Sequence, residues 1–164
     1  MQASDLMKRN VVTIRPDISL ATAARILLRA GVNAAPVVNE AGRLVGMIGL
    51  KDILRAPARS DLGVWATRYT SLTTRARAIA RTPVGHVMAR RFVTVSPETP
   101  AAEVSALLIN RERHPLPVVV EGQVVGVIGR ADVVAAVLAL VDETTEELRG
   151  SDDETAAGES AQPA

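Results

Sequence analysis

Two aspartates carry the clearest chemical signature in the chain. Asp52 and Asp132 each stand three residues after a glycine, Gly49 and Gly129, that closes an apolar run ending Ile-Gly. In the first turn of a helix, such a carboxylate can accept two hydrogen bonds from a vicinal diol, such as the 2′ and 3′ hydroxyls of a ribose. Charge-assisted bonds of this kind contribute roughly 1.5–3 kcal/mol. A second reading stands beside it: the helix dipole favours an acid near a helix N-terminus whatever the ligand. Other chemistry finds little material. His86 and His114 are the only histidines and there is no cysteine, so thiolate catalysis and a His/Cys metal cluster are excluded. No nucleophile–base pair, glycine-rich phosphate loop or motif-set pair of carboxylates is evident either. The expectation is a protein that is not an enzyme and carries no cofactor or metal.

The two aspartates belong to a duplication. Met7-Lys8-Arg9-Asn10-Val11-Val12-Thr13-Ile14-Arg15-Pro16-Asp17 returns as Met88-Ala89-Arg90-Arg91-Phe92-Val93-Thr94-Val95-Ser96-Pro97-Glu98. Ala35-Pro36-Val37-Val38 returns as Leu116-Pro117-Val118-Val119, and Leu44-Val45-Gly46-Met47-Ile48-Gly49 as Val124-Val125-Gly126-Val127-Ile128-Gly129. The offset is 81 residues through the Pro-Val-Val and 80 after it. Two copies are too few for a solenoid, and each is small for a core of its own. Paired face to face they bury each other's apolar surface and leave matched clefts at the seam, where small ligands bind.

Within each copy the pattern predicts β-α-β-β-α. Ser4-Asp5 and Thr82-Pro83 read as caps of short turns ending at Met7 and Met88. Val11 to Ile14 and Phe92 to Val95 read as strands, closed by Pro16 and Pro97. A helix follows, capped by Ser19 with Leu20, Ala23, Ala24, Leu27 and Leu28 on its apolar face and Gly31 as its stop. In the second copy Thr99 caps, Pro100 takes the first helical position, and Val104, Leu107 and Leu108 face inward. Strands Pro36 to Asn39 and Leu44 to Ile48, and likewise Pro117 to Val120 and Val124 to Ile128, are joined by turns at Gly42 and Gly122. Unbroken Val-Val runs indicate strands covered on both sides or sealed against a partner. The last helix is expected from about Ala131 to Val141.

Between the copies, Leu62, Trp65, Tyr69, Leu72, Ala76 and Ile79 recur at three- and four-residue spacing, a helical stripe. The formal net charge of +1 hides an asymmetry. Residues 55–91 hold eight arginines against Asp61, and residues 142–164 hold eight acids against Arg149. The domain boundaries read as repeat 1 at 1–56, a linker with an amphipathic helix at 57–81, repeat 2 at 82–141 and an acidic disordered tail at 142–164. The linker helix reads either as one packed on its own module or a dimer mate, or as a basic helix for a membrane, nucleic acid or partner. No nucleic-acid motif accompanies it, so nucleic acid and membrane are not expected partners. The lack of cysteine and of an apolar N-terminal signal core fits the cytoplasm, and the longest apolar run, Val133 to Val141, is too short to cross a bilayer.

The repeated β-α-β-β-α order, the Pro-Val-Val strand and the Val-Gly-x-Ile-x-x-x-Asp segment together resemble a tandem pair of CBS domains, a Bateman module, over about residues 4–56 and 82–140. The resemblance implies an α/β (α+β) fold of two repeats related by pseudo-two-fold symmetry, a homodimer, and clefts that bind AMP, ADP, ATP or S-adenosylmethionine. Asp52 and Asp132 would hold the ribose. Val12, Val93, Met47 and Val127 would flank the adenine, unless they are simply core, and Thr13 and Thr94 would offer hydroxyls near the cleft, unless they are simply good strand residues. Asn33 with Ala34, and His114 with Pro115, would approach ribose or phosphate; a solvent-facing loop is the other reading of His114. His86 stands where the first copy has Asp5 and reads as surface. The chain departs from the family at Gly49 and Gly129, where Ser or Thr is usual. Glycine keeps the backbone N–H but offers no hydroxyl, leaving phosphate recognition to helix-terminal amides and the adjacent Lys51 and Arg130.

Two functions are consistent with these residues. One is a regulatory module that senses an adenosine ligand and signals to an unidentified protein partner. The other is a dimerisation scaffold with vestigial clefts, acting through the linker helix and tail.

Overall fold

The computed structural model describes residues 1–55, 71–110 and 115–158, with side chains as far as Thr144. The first copy opens with α1 (Ala3–Leu6), then α2 (Leu20–Ala30), β1 (Ala34–Val38), β2 (Leu44–Gly49) and α3 (Leu50–Arg55). After α4 (Leu72–Arg81), the second copy has a 3₁₀ turn (Val84–His86), α5 (Ala101–Asn110), β3 (Leu116–Val120), β4 (Gln123–Ile128) and α6 (Arg130–Gly158). The stripe members Leu62, Trp65 and Tyr69 lie outside the described residues, as does His114. The chain divides into two compact units, Met1–Gly129 and Arg130–Ala164.

Each copy builds an antiparallel hairpin, β1 with β2 and β3 with β4, and each hairpin shifts register at the same place, Val37/Val38 and Val118/Val119. Gly42 and Gly122 turn the chain at φ +74° and +85°. The apolar runs are buried in succession (Ala35, Pro36 and Val37; Leu116, Pro117 and Val118), and the next residues, Val38 and Val119, are half-buried. The runs Val11–Ile14 and Phe92–Val95 do not form strands. Each makes one parallel bridge, Ile14 with Val37 and Val95 with Val118, before the following proline takes away a donor.

Ser19 caps α2 through Thr22 N–H, and Gly31 ends it in the left-handed region at φ +66°. Leu20, Ala23 and Leu27 are buried, but Leu28, expected on the same face, is exposed: adjacent residues are about 100° apart on a helix, so Leu27 turns it away from the core. Nothing lies within 4 Å of a Cβ built on Gly31. Gly31→Ala is therefore expected to cost about 1 kcal/mol, for the left-handed backbone alone, read from urea denaturation.

Other helix starts differ by a residue or two from expectation. Ser4 and Asp5 are inside α1, not before it: Gln2 is the cap, and its N–H donates to Asp5 Oδ2 at 2.8 Å. Thr99 does not cap α5; its hydroxyl accepts Ser96 N–H at 3.0 Å, and the Pro100 carbonyl receives the first helical bonds. Helix α6 does not end near Val141 but runs 29 residues to Gly158. Residues 142–149 are largely Glu, Thr, Leu and Arg, which sustain a helix better than the proline and glycine that stop one.

The two copies exchange their openings. Leu20 N–H donates to Thr82 O, Val84 N–H to Ile18 O and Gly85 N–H to Pro16 O, at 2.9, 2.9 and 2.8 Å. Shifting every residue by the 81-residue offset yields the other set: Ala101 to Met1, Ala3 to Thr99 and Ser4 to Pro97, at 3.2, 2.8 and 2.9 Å. Val84 and Met88, from the second copy, pack into the core of Ile14, Leu20, Leu27, Val37 and Ile48 in the first. The hairpin tips clasp in the same reciprocal way. Arg43 Nη2 donates to Glu121 O at 3.0 Å, and Gln123 Nε2 donates to Ala41 O at 2.9 Å. The pseudo-two-fold relation within residues 1–129 is thus written in paired hydrogen bonds, and neither copy is complete without the other.

Candidate functional site

The open end of the first hairpin gathers the candidate residues of copy one. Ala34 pairs with Gly49 across it, and Leu50 N–H donates to Asn33 O at 2.9 Å, which fixes the start of α3 beside Asn33. Asp52, half-buried in the first turn, accepts the Gly49 N–H through Oδ2 at 2.9 Å. Because Ile14 runs parallel to β1 and bridges Val37, the preceding Val12 and Thr13 approach the same end. Val12 is half-buried, whereas Thr13, Asn33 and Lys51 are exposed and Gly49 is buried.

These bonds narrow what the site offers. The Gly49 and Leu50 amides are already satisfied within the protein, by Asp52 and Asn33. An anion here would rely on side chains, with Lys51 the cation at hand. Asp52 performs the helix-capping role at the open end of the hairpin.

In copy two, Val93 is half-buried and Thr94 exposed, and Val95 bridges Val118 beside β3. Pro115 and Gly129 are half-buried at the open end of the second hairpin, where Leu116 pairs with Ile128. Arg130 and Asp132 lie in the first turn of α6, exposed and half-buried respectively. His86 ends its 3₁₀ turn exposed, as expected. The copies are unequal at Met47 and Val127: Met47 is fully buried, Val127 half-buried.

Residues that the sequence reading left out come from the exchange of openings. Met47 N–H and O pair with Ala89 O and N–H at 2.9 and 2.8 Å, and Val127 pairs in the same way with Lys8 at 3.1 and 3.0 Å. Each candidate site is therefore bordered by the opening segment of the other copy. Gly46 and Gly126 sit beneath Met88 and Met7. The only sequence signal for this was that the Met and Gly pairs repeat at the common offset. Among the described residues, no group of three or more His, Cys, Asp or Glu could hold a metal ion, and no helix is long and apolar enough to cross a membrane.

A doubled hairpin-and-helix unit with exchanged openings defines the class: a paired α/β repeat. The CBS domain model matches residues 3–59 and 84–139, and the chain belongs to the CBS domain family. It is 30% identical to the CBS domain-containing protein YhcV of Bacillus subtilis over 129 residues, 78% of this chain and 79% of that one. It is also 28% identical over 137 residues to the A-adding tRNA nucleotidyltransferase of Aquifex aeolicus, spanning 84% of this chain but only 14% of that enzyme. Among solved structures, CBSX2 of Arabidopsis thaliana in complex with AMP superposes with a TM-score of 0.67 at 25% identity, covering 85% of this chain and 97% of that one. The CBS domain pair of MJ0100, in complex with 5′-methylthioadenosine and S-adenosylmethionine, has a TM-score of 0.63 at 24% identity, covering 83% of this chain and 98% of that one.

Proposed function

We propose that this protein is a regulatory module whose two candidate sites bind an adenosine-containing ligand. The single observation that carries the reading is the placement of Asp52, with Gly49 and Asn33, at the open end of the first hairpin, in a fold shared with an AMP-bound relative. The carboxylate takes the ribose diol. With glycine at position 49 and its amide engaged, nucleoside recognition dominates and phosphate adds less. Binding favours one arrangement of the exchanged copies over another, and a protein partner reads the change, which requires different affinities for the two states. The module works as a homodimer in the cytoplasm.

Isothermal titration of the full chain with AMP, ADP, ATP and S-adenosylmethionine tests this. If nucleoside recognition dominates, AMP, ADP and ATP are expected to bind with similar affinities. Absence of heat with all four up to millimolar concentration removes the ligand reading. In that case the scaffold remains, and it has an observation of its own: large apolar side chains stand exposed on helices of both copies, among them Leu28, Leu54 and Ile109.

A further inference from the structure

The linker helix α4 packs on the first copy through a face that its sequence pattern hides. Leu72 and Ala76, members of the apolar stripe, are exposed, Leu72 at 83%. Arg75, Ala78, Ile79 and Thr82 are half-buried instead, and their three- and four-residue spacing puts them on one face of the helix. The later part of this face is fixed on the first copy: Ile79 packs against its core, and the Thr82 carbonyl accepts the Leu20 N–H at 2.9 Å where α2 begins. The earlier part is fixed by Arg75, whose Nη1 donates to the Leu54 carbonyl of α3 at 2.6 Å.

α3 is the helix whose first turn carries Asp52. Its start is held at the hairpin by the Leu50 N–H on Asn33 O and by Asp52 on the Gly49 N–H. Arg75 grips it further along. Asp52 and Leu54 are separated by only about 3 Å of helical rise, so a shift at Leu54 is felt at the carboxylate. A guanidinium on the packed face of a helix is costly unless it is bonded, and its bond to the Leu54 carbonyl joins α4 to the helix of the candidate site. We infer that Arg75 is a positioning residue for the first site: through it the linker helix, which lies between the duplicated stretches, holds α3 and with it the Asp52 carboxylate at the open end of the hairpin. The consequence for ligand binding rests on the adenosine reading above, whereas the tether between the helices does not.

Amide hydrogen exchange on the ligand-free full chain tests the tether. Arg75→Ala is expected to speed exchange of the α3 amides about tenfold through loss of one charge-assisted bond, while the α5 amides keep the parent rate. Arg75→Lys retains a cationic donor and is expected to restore much of the protection. Unchanged α3 exchange in Arg75→Ala overturns the inference. An equal rise in α5 does so too, since it marks a general loss of stability, as does a lysine variant no better than alanine. Calorimetric titration with AMP then reads the positioning. Affinity is expected to fall about fivefold in Arg75→Ala and to stay at the parent value in Arg77→Ala, which removes an exposed arginine of the same helix. Equal weakening in both variants assigns the effect to net charge and overturns the positioning role, as does an unaltered affinity beside faster exchange. A parent chain that takes no AMP counts against the adenosine reading instead, and the exchange rates alone then decide whether α4 holds α3.

Discussion

Gly126→Val is expected to destabilise the protein by about 3 kcal/mol and lower its midpoint by roughly 6–12 °C in a thermal melt. A Cβ built on Gly126 would lie 2.8 Å from Met7 Cγ and 2.9 Å from Met7 Cβ, with Met7 Sδ closer still. The sulfur is the end of a flexible chain and can swing away, but the Cβ cannot move without its backbone. That backbone is held on both sides: Met7 N–H donates to Ala3 O at 2.9 Å, and Lys8 pairs with Val127 at 3.0 and 3.1 Å. Making room therefore means loosening the end of α1 or breaking the bridge that joins the two copies. Gly46→Ala is the milder test of the symmetry-related place. Its new Cβ would meet Met88 Sδ and Cγ at 2.6 and 3.0 Å and Ala89 O at 3.2 Å. Met88→Ala removes the first two contacts, so the double variant is expected to be more stable than the sum of the single losses predicts. Simple additivity would mean that the methionine is not what the glycine accommodates.

The elements that repeat locally were the legible ones. Both hairpins, the Ser19 cap and the Gly31 stop follow from a turn residue beside an alternating or β-branched run, and all of that information lies within a few residues. The expectation failed where a choice depends on a distant neighbour. Leu27 and Leu28 are equally apolar, and only the packing of α2 decides which is buried. Phe92 to Val95 has the composition of a strand, yet it makes a single bridge, Val95 with Val118. The exchange of openings was hidden for a more basic reason. A perfect duplication reads the same whether Val84 packs in its own copy or the other, since both arrangements satisfy the same hydrophobic pattern. At the open end of the first hairpin Asp52, Gly49, Asn33 and Ala34 lie together, while the pairing of Ala89 with Met47, and of Lys8 with Val127 in the other copy, required knowing which copy each opening serves.

Asp52→Asn is expected to weaken binding of the adenosine ligand about 10- to 100-fold at one site while leaving stability nearly unchanged. The reasoning separates the two duties of this side chain. Its capping duty needs only an acceptor for the Gly49 N–H, which Oδ2 supplies at 2.9 Å. The asparagine carbonyl can supply the same acceptor, losing little beyond a favourable charge at a helix start. The diol duty needs an oxygen pair bearing negative charge. The amide replaces one acceptor by a donor and removes the charge, and the loss of roughly 1.5–3 kcal/mol translates to that range of affinity. Asp52→Ala removes both, so it is expected to cost about 1 kcal/mol of stability as well. Calorimetric titration and urea denaturation of the two variants together distinguish the roles. If Asn binds like the parent and only Ala is affected, and only in stability, Asp52 is a helix cap and nothing more. If Asn keeps the stability and loses the ligand, the carboxylate recognises the ribose. The same pair of substitutions at Asp132 then tells whether the second copy, where Val127 replaces the buried Met47, holds a ligand of its own.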